Sequence, residues 1–315
     1  MRFSKNCKDK SLRKEGFPQL QKDCCSVEYK TTGQKLSGDY RQITFTDGFG
    51  AGTFRLLDKR TRTRDLSAFH REQIKTLVKR VRILKRADGY YVQFCLNIDR
   101  KEGLPPSGTT LGLDMGLSSF YADSNGEKMY CAKFLRKAEK RIKFLQQRMS
   151  RKLKGSHNRK EAENRLARKH LQVQRQRRDF AAKLAQCVVA SSDIVTFEDL
   201  AVRNMVRNHH LAKSIMGASW SLFRNYLAYY GRVYRRMTVA VLPTYTSQDC
   251  SPCGGRVKKA LSERTHACSC GCGLDRDKNA ALNILAKGLE QVDSIVNGTA
   301  GQSETEAAYE KSLAA

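Results

Sequence analysis

The chain has 315 residues, with 59 Lys and Arg against 31 Asp and Glu, a formal net charge of +28. That length holds one large core or a few smaller ones, and 40% hydrophobic residues suffice to fold it. So large a basic surplus points to a polyanionic partner, nucleic acid before an anionic membrane surface. It points away from an enzyme of small neutral metabolites.

No apolar run approaches the ~20 residues of a spanning helix, so no membrane partner is expected. The opening MRFSKNCKDKSLRKEG carries charge without an apolar stretch, so no signal peptide is expected and a cytoplasmic, nucleoid-associated protein is. Eleven cysteines, an odd number, argue against a disulfide framework in that setting. Cys7, Cys24, Cys25, Cys95, Cys131 and Cys187 are scattered and read as small apolar residues.

From the N-terminus, residues 25–58 and 78–99 alternate in the manner of strands, as in Val27-Glu28-Tyr29, Ile43-Thr44-Phe45 and Tyr90-Tyr91-Val92-Gln93-Phe94. Asp47-Gly48, Gly50 and Asp88-Gly89 punctuate them as turns. A small antiparallel barrel or sandwich is expected, with a short helix over 60–80. Leu104-Pro105-Pro106-Ser107-Gly108 reads as a stiff linker.

Next comes Thr110-Leu111-Gly112-Leu113-Asp114-Met115-Gly116-Leu117, an apolar strand holding one aspartate, followed by a hairpin around Asn125-Gly126. An acid there is costly to desolvate unless a cation meets it. A strand-end cap is the simpler alternative. Residues 132–183 then carry 19 Lys and Arg against 4 acids. Phe134, Ala138, Ile142, Leu145, Met149 and Leu153 form one helical stripe; Leu166, Val173, Phe180, Leu184 and Val188 form a second. Gly155-Ser156-His157-Asn158 is the turn between them. The pair reads as an antiparallel hairpin whose outer faces grip a polynucleotide backbone through Arg136, Arg141, Arg148, Arg151, Lys152, Arg168 and Arg175. A merely solvated basic face is the alternative.

A second short strand, Ile194-Val195-Thr196-Phe197, ends on Glu198, with Asp199 alternating to the other face. A helix over about 211–237 carries Trp220, Tyr226, Tyr229 and Tyr230, read as core packing rather than base stacking. Cys250-Ser251-Pro252-Cys253 and the returning Cys268-Ser269-Cys270-Gly271-Cys272 suit a structural tetrahedral zinc in a ribbon. Cys270 and Cys272 compete for the fourth ligand position, and His266 is the weaker candidate. Leu274-Asp275-Arg276-Asp277-Lys278-Asn279-Ala280-Ala281 opens a helix, and either aspartate could serve as its cap. The last 25 residues, from Gln291, are acidic and weakly patterned, as in a disordered tail. Taken together, three carboxylate sites are what hydrolysis of a phosphodiester with two Mg²⁺ ions requires, with Mn²⁺ an acceptable substitute.

GLDMGL around Asp114, FEDL around Glu198, TSQDCSPCG, the returning cysteines and DRDKNAALNIL around Asp277 together resemble the TnpB family over residues ~1–290. These are transposon-encoded RNA-guided DNA endonucleases related to compact type V CRISPR effectors. The resemblance implies an α+β or α/β multidomain fold: a wedge-type β-barrel over 1–108, and an RNase H-like RuvC domain over 109–249 and 273–290. That domain would contain the basic helix pair 132–190, with a zinc ribbon over 250–272 and the acidic tail over 291–315. It implies a catalytic Mg²⁺-binding triad of Asp114, Glu198 and Asp277, and Cys250, Cys253, Cys268 and Cys270 on zinc. It also implies a guide noncoding RNA from the transposon end and a DNA target. Family members carry an N-terminal helical module, which the opening RFSKNCKDKSLRKEGFPQL suggests is absent or truncated here. A nuclease-deficient RNA-guided binder and a zinc-ribbon scaffold that coats nucleic acid are the rival readings.

Overall fold

The computed structural model describes residues 26–30, 33–39, 41–46, 52–56, 78–260 and 263–296. The turns at Asp47 and Gly50, nearly all of the expected helix at 60–80, and Cys7, Cys24 and Cys25 lie outside these. The chain divides into two units, on either side of Asp99 and Arg100.

In the first unit, β1 (Ser26–Lys30), β5 (Val78–Arg86) and β6 (Gly89–Leu96) form one antiparallel sheet, and β2 (Gln34–Leu36), β3 (Gln42–Phe45) and β4 (Thr53–Arg55) another. Alternation works as expected: Ile43 and Phe45 point inward from β3 and meet Val81 of β5 in a shared core. No ladder joins the two sheets among the described residues, so a barrel closed by hydrogen bonds is not what these strands make.

The second unit is built on a five-stranded sheet, in the order β11-β10-β7-β8-β9. Its members are β7 (Thr110–Asp114), β8 (Ser119–Asp123), β9 (Lys128–Tyr130), β10 (Ile194–Glu198) and β11 (Met237–Val241). β7, β10 and β11 run parallel, while β8 and β9 return as an antiparallel meander. β7 and β10, inside the sheet, are buried on both faces, which is why they read as near-continuous apolar runs. Residues 102–108 dock on this unit: the backbone N–H groups of Ser107 and Gly108 donate to Asp193 at 2.8 and 2.7 Å.

Helices α1 (Phe134–Ser150) and α2 (His157–Ser191) form the expected hairpin, with Ser156 capping α2 by accepting from the Arg159 N–H at 3.2 Å. The outer half of the hairpin has its own small core of Ala138, Ile142 and Val173, whereas Leu184 and Val188 join the core against the sheet. Leu153, expected in the first stripe, is 80% exposed because α1 ends before it.

The expected helix over 211–237 is two helices, α4 (His209–Ala218) and α5 (Trp220–Tyr234), after the short α3 (Val202–Met205). Ser219 breaks them in the left-handed region at φ 61°, and Met237 already belongs to β11. Trp220, Phe223 and Leu227 are core residues, as anticipated for Trp220. The Tyr226 hydroxyl accepts from Arg178 at 2.8 Å. β12 (Thr265–Ala267) pairs with β13 (Gly273–Asp275), and α6 (Arg276–Val296) follows, so residues 291–296 are helical and the rest of the expected tail lies outside the described residues.

Candidate active site

The parallel pairing of β7 with β10 sets Leu113 opposite Phe197. One residue on, Asp114 and Glu198 stand side by side at the carboxyl ends of neighbouring strands, on the edge where open α/β sheets bind ligands. The same apolar, β-branched character that drives these segments into the sheet centre fixes that register, since a one-residue slip would turn both acids to the other face.

The third acid arrives on α6. Glycine makes the approach close: a Cβ at Gly112 would lie 2.2 Å from the Ala281 carbonyl oxygen, and one at Gly288 2.1 Å from Thr196 Cγ2. The helix therefore lies directly on β7 and β10, with Asp277 in its first turn. The two candidate caps separate cleanly. Asp275 Oδ1 accepts from the N–H groups of Asp277 and Lys278 at 3.0 and 3.3 Å, so Asp275 is the cap and the Asp277 carboxylate is left for the site.

The electrostatics tie the three acids together. Burial, then the charges of Glu198 and Asp277, push the Asp114 carboxyl up to about 8, against a smaller opposing pull from Arg276 and Lys128. Burial also raises Glu198, while the Thr246 hydroxyl, donating to its Oε1 at 2.5 Å, works the other way. Lys128 Nζ bridges Asp275 and Asp277 at 2.8 and 3.2 Å, and Arg264 stands 3.8 Å from Asp277. Burial raises Asp275, but its bonds to Lys128 and to the helix N–H groups outweigh this and hold it below the usual carboxylate range.

Among the described residues, four cysteines are the one group of potential ligands close-knit enough to hold a metal as they stand. The three carboxylates share one sheet edge without closing to that spacing.

In the cysteine group, the sulfurs of Cys250, Cys253, Cys268 and Cys270 all lie within 4.8 Å of one another. Cys250 to Cys270 is 3.7 Å and Cys253 to Cys268 is 3.6 Å. Four sulfurs at about 2.3 Å from a tetrahedral zinc stand about 3.8 Å apart, so the set fits that ion closely. The structure thus brings Cys270 to the cluster and leaves the Cys272 thiol outside it; Cys272 contributes its carbonyl oxygen to the Cys268 N–H at 2.9 Å. His266 is fully buried on β12, outside the cluster, with no partner on either ring nitrogen.

Arg136, Arg141, Arg148, Arg151, Lys152, Arg168 and Arg175 are all exposed along the helical hairpin. The guanidinium groups of Arg141 and Arg148 lie over the ring of Phe144, at 5.2 and 5.8 Å. Sequence reasoning missed Lys128 and Thr246. Thr246 sits in the TSQDC run, and its adjacency to the cysteines was the only available signal.

Comparison with known proteins fits this arrangement. Residues 93–209 match a family model described as "Probable transposase", of the IS605 OrfB type, and residues 220–284 match "Cas12f1-like, TNB domain". A Streptomyces pristinaespiralis protein with the provisional name RNA-guided DNA endonuclease is 40% identical over 187 residues, 59% of this chain and 46% of that protein. InsQ of Escherichia coli K12, with the same provisional name, is 29% identical over 69% of this chain and 58% of its own length. The chain thus spans about half the length of the curated relatives it matches. A Cas12f1 protein solved by cryo-electron microscopy with its sgRNA and target DNA superimposes with a TM-score of 0.51 at 14% identity, over 82% of this chain and 58% of that one.

The class so defined is a mixed α/β protein with an acid-bearing sheet edge and a TNB-type cysteine domain. Over residues 93–209 and 220–284 the chain is similar to these two families, and proteins named TnpB-like, from Acanthamoeba polyphaga mimivirus, are 26% identical over 64% of it.

Proposed function

We propose that this protein is an RNA-guided DNA endonuclease, with Asp114, Glu198 and Asp277 as its catalytic carboxylates on an RNase H-like, RuvC-type sheet. The observation that carries this is the parallel β7–β10 register, which sets two acids from remote segments side by side beneath the first turn of α6. Oxygen-only donors suit Mg²⁺ or Mn²⁺, and two such ions would offset the burial and the mutual repulsion that together raise Asp114. Bound there, they would supply Lewis-acid charge to a phosphodiester in a two-metal hydrolysis. Cys250, Cys253, Cys268 and Cys270 would hold one structural zinc in a ribbon.

The chain's own groups have separate tasks. Thr246 fixes the Glu198 carboxylate through its hydroxyl. Lys128 brings a positive charge to Asp277 and to the phosphate that would lie beside it. The N-terminal sheets are the wedge counterpart, and the exposed Arg and Lys residues of the α1–α2 hairpin grip the backbone of the guide or of its hybrid with target DNA. The guide is a noncoding RNA from the transposon end, and the protein works at the nucleoid.

The test is plasmid cleavage in Mg²⁺ with the RNA that co-purifies. Asp114→Ala should abolish cutting while RNA binding stays within a few fold; retained cutting removes Asp114 from the site. Specific DNA binding without any cutting by the unmodified protein would instead support a nuclease-deficient binder. Co-purified RNA with no dominant species would support a scaffold that coats nucleic acid.

A further inference from the structure

A cavity of about 300 Å³ lies between α1, α2 and α4, with Leu117 and Ser118 of the segment after β7 also in its lining. That volume is at the lower limit for small-molecule sites, about 300–1,000 Å³. Three phenylalanines form one wall: Phe180 meets Phe120 and Phe134 edge to face, at centroid distances of 5.3 and 5.9 Å. Lys133, Arg136, Arg177 and Lys213, the last paired with Glu139, supply positive charge, and among the described residues no acid lines the cavity. Lys133 adopts a left-handed backbone at φ 47° immediately before α1, a conformation a lysine takes only under constraint.

Arg177 is the informative residue. Its Nε and Nη2 are both buried and have no hydrogen-bond partner. Two unpaired buried donors on a half-buried cation are costly, and burial weakens the group's hold on its proton. An anion that accepts from both nitrogens removes that penalty, and the planar guanidinium fork matches an acceptor that offers two oxygens, such as a phosphate. The phenylalanine wall asks for something else: a flat, apolar ring. Both demands are met by a nucleotide whose base has left its stack.

We propose that this cavity binds one unstacked nucleotide of a single-stranded nucleic acid, with the base against the phenylalanine wall and the phosphate on Arg177. The location supports a chain source: the cavity opens at the root of the hairpin, where residues 132–183 carry 19 Lys and Arg against 4 acids. The choice of nucleic acid rests on the proposed function.

Calorimetric titration of the full chain with adenosine or uridine 5′-monophosphate, without divalent metal, guide or target, reads the site directly. One site per chain is expected, weakened about tenfold or more by Arg177→Gln and by Phe180→Ala. Lys258→Gln, an exposed residue between the two cysteine pairs, should leave it unchanged. Arg177 makes no hydrogen bond to lose, so Arg177→Gln should fold and, without ligand, melt no lower than the parent. Inorganic phosphate and adenosine should each bind far more weakly than the nucleotide, and a short unstructured RNA should displace it. Unaltered nucleotide affinity in Arg177→Gln, equal affinity for phosphate alone, tighter binding of phosphotyrosine, or failure of the RNA to compete would each overturn the proposal. Nucleotide binding in a protein that cuts nothing would count against the endonuclease reading alone.

Discussion

Replacing Gly112 by alanine should disable the candidate site without touching any acid. A Cβ at Gly112 would stand 2.2 Å from the Ala281 carbonyl oxygen, 2.8 Å from Leu285 Cβ and 3.0 Å from the Leu285 nitrogen. Two of these three atoms are helix backbone and the third is a Cβ, so no side-chain rotation relieves the clash. Restoring ordinary contact at 3.4 Å or more requires α6 to move away from β7 by about 1 Å. Overpacking of that kind costs about 1–3 kcal/mol of stability. Asp277 rides on the first turn of the same helix, and a misplacement of about 1 Å can lower a rate by about 100-fold. The assay pairs thermal unfolding with plasmid cleavage, and Gly38→Ala, where a Cβ meets nothing within 4 Å, is the control. Parental melting and parental cleavage in Gly112→Ala would refute the reasoning, because the helix would then not depend on that close approach.

Other perturbations read other parts of the site. Asp114 ordinarily ionises near 3.8 and is pushed up to about 8 in the fold, so the folded state holds the proton more tightly than the unfolded chain. Its contribution is therefore fully present below about pH 4 and lost as pH rises toward 8. Metal-free Asp114→Asn should accordingly melt higher than the parent at pH 9 and close to it at pH 4, and a parallel pair of curves would contradict this. Thr246→Val removes the hydrogen bond that lowers Glu198, so the acid limb of the pH–cleavage profile should move to higher pH, and an unmoved limb would contradict this. The purified protein should carry one zinc per chain by mass spectrometry. Cys270→Ser should lose it and Cys272→Ser should keep it; the reverse result exchanges their roles.

Much of the scaffold was legible in the sequence because single elements carry strong local signals. Leu111 and Leu113 before Asp114, and Val195 and Phe197 before Glu198, are apolar runs with an acid at the end, and a sheet centre is where such runs go. The Ser156 cap and the Ala138, Ile142, Leu145 stripe behaved as their spacing implied. Features that depend on two distant segments were not legible. Nothing local predicts that Leu113 faces Phe197, that Gly112 and Gly288 are the points where α6 touches the sheet, or that Lys128 reaches Asp277. The break at Ser219 escaped because the apolar period runs through it: Ile215, Trp220 and Phe223 are all core residues, and a left-handed serine leaves no trace in a hydrophobic pattern. Between Asp275 and Asp277 the local pattern left both open and only the family resemblance implied Asp277; the structure adds that Asp275 caps the helix.

Helix α2 is 35 residues long, about 50 Å at 1.5 Å per residue, and it is anchored unequally. Its second half belongs to the core that backs the sheet, whereas its first half packs on α1 through a small separate cluster around Ala138, Ile142 and Val173. The tip is thus a cantilever whose span is decoupled from the carboxylate edge. Adding or deleting whole turns there would change the reach of its cationic surface while leaving the chemistry's foundations unaltered, so reach and reactivity can drift apart during evolution.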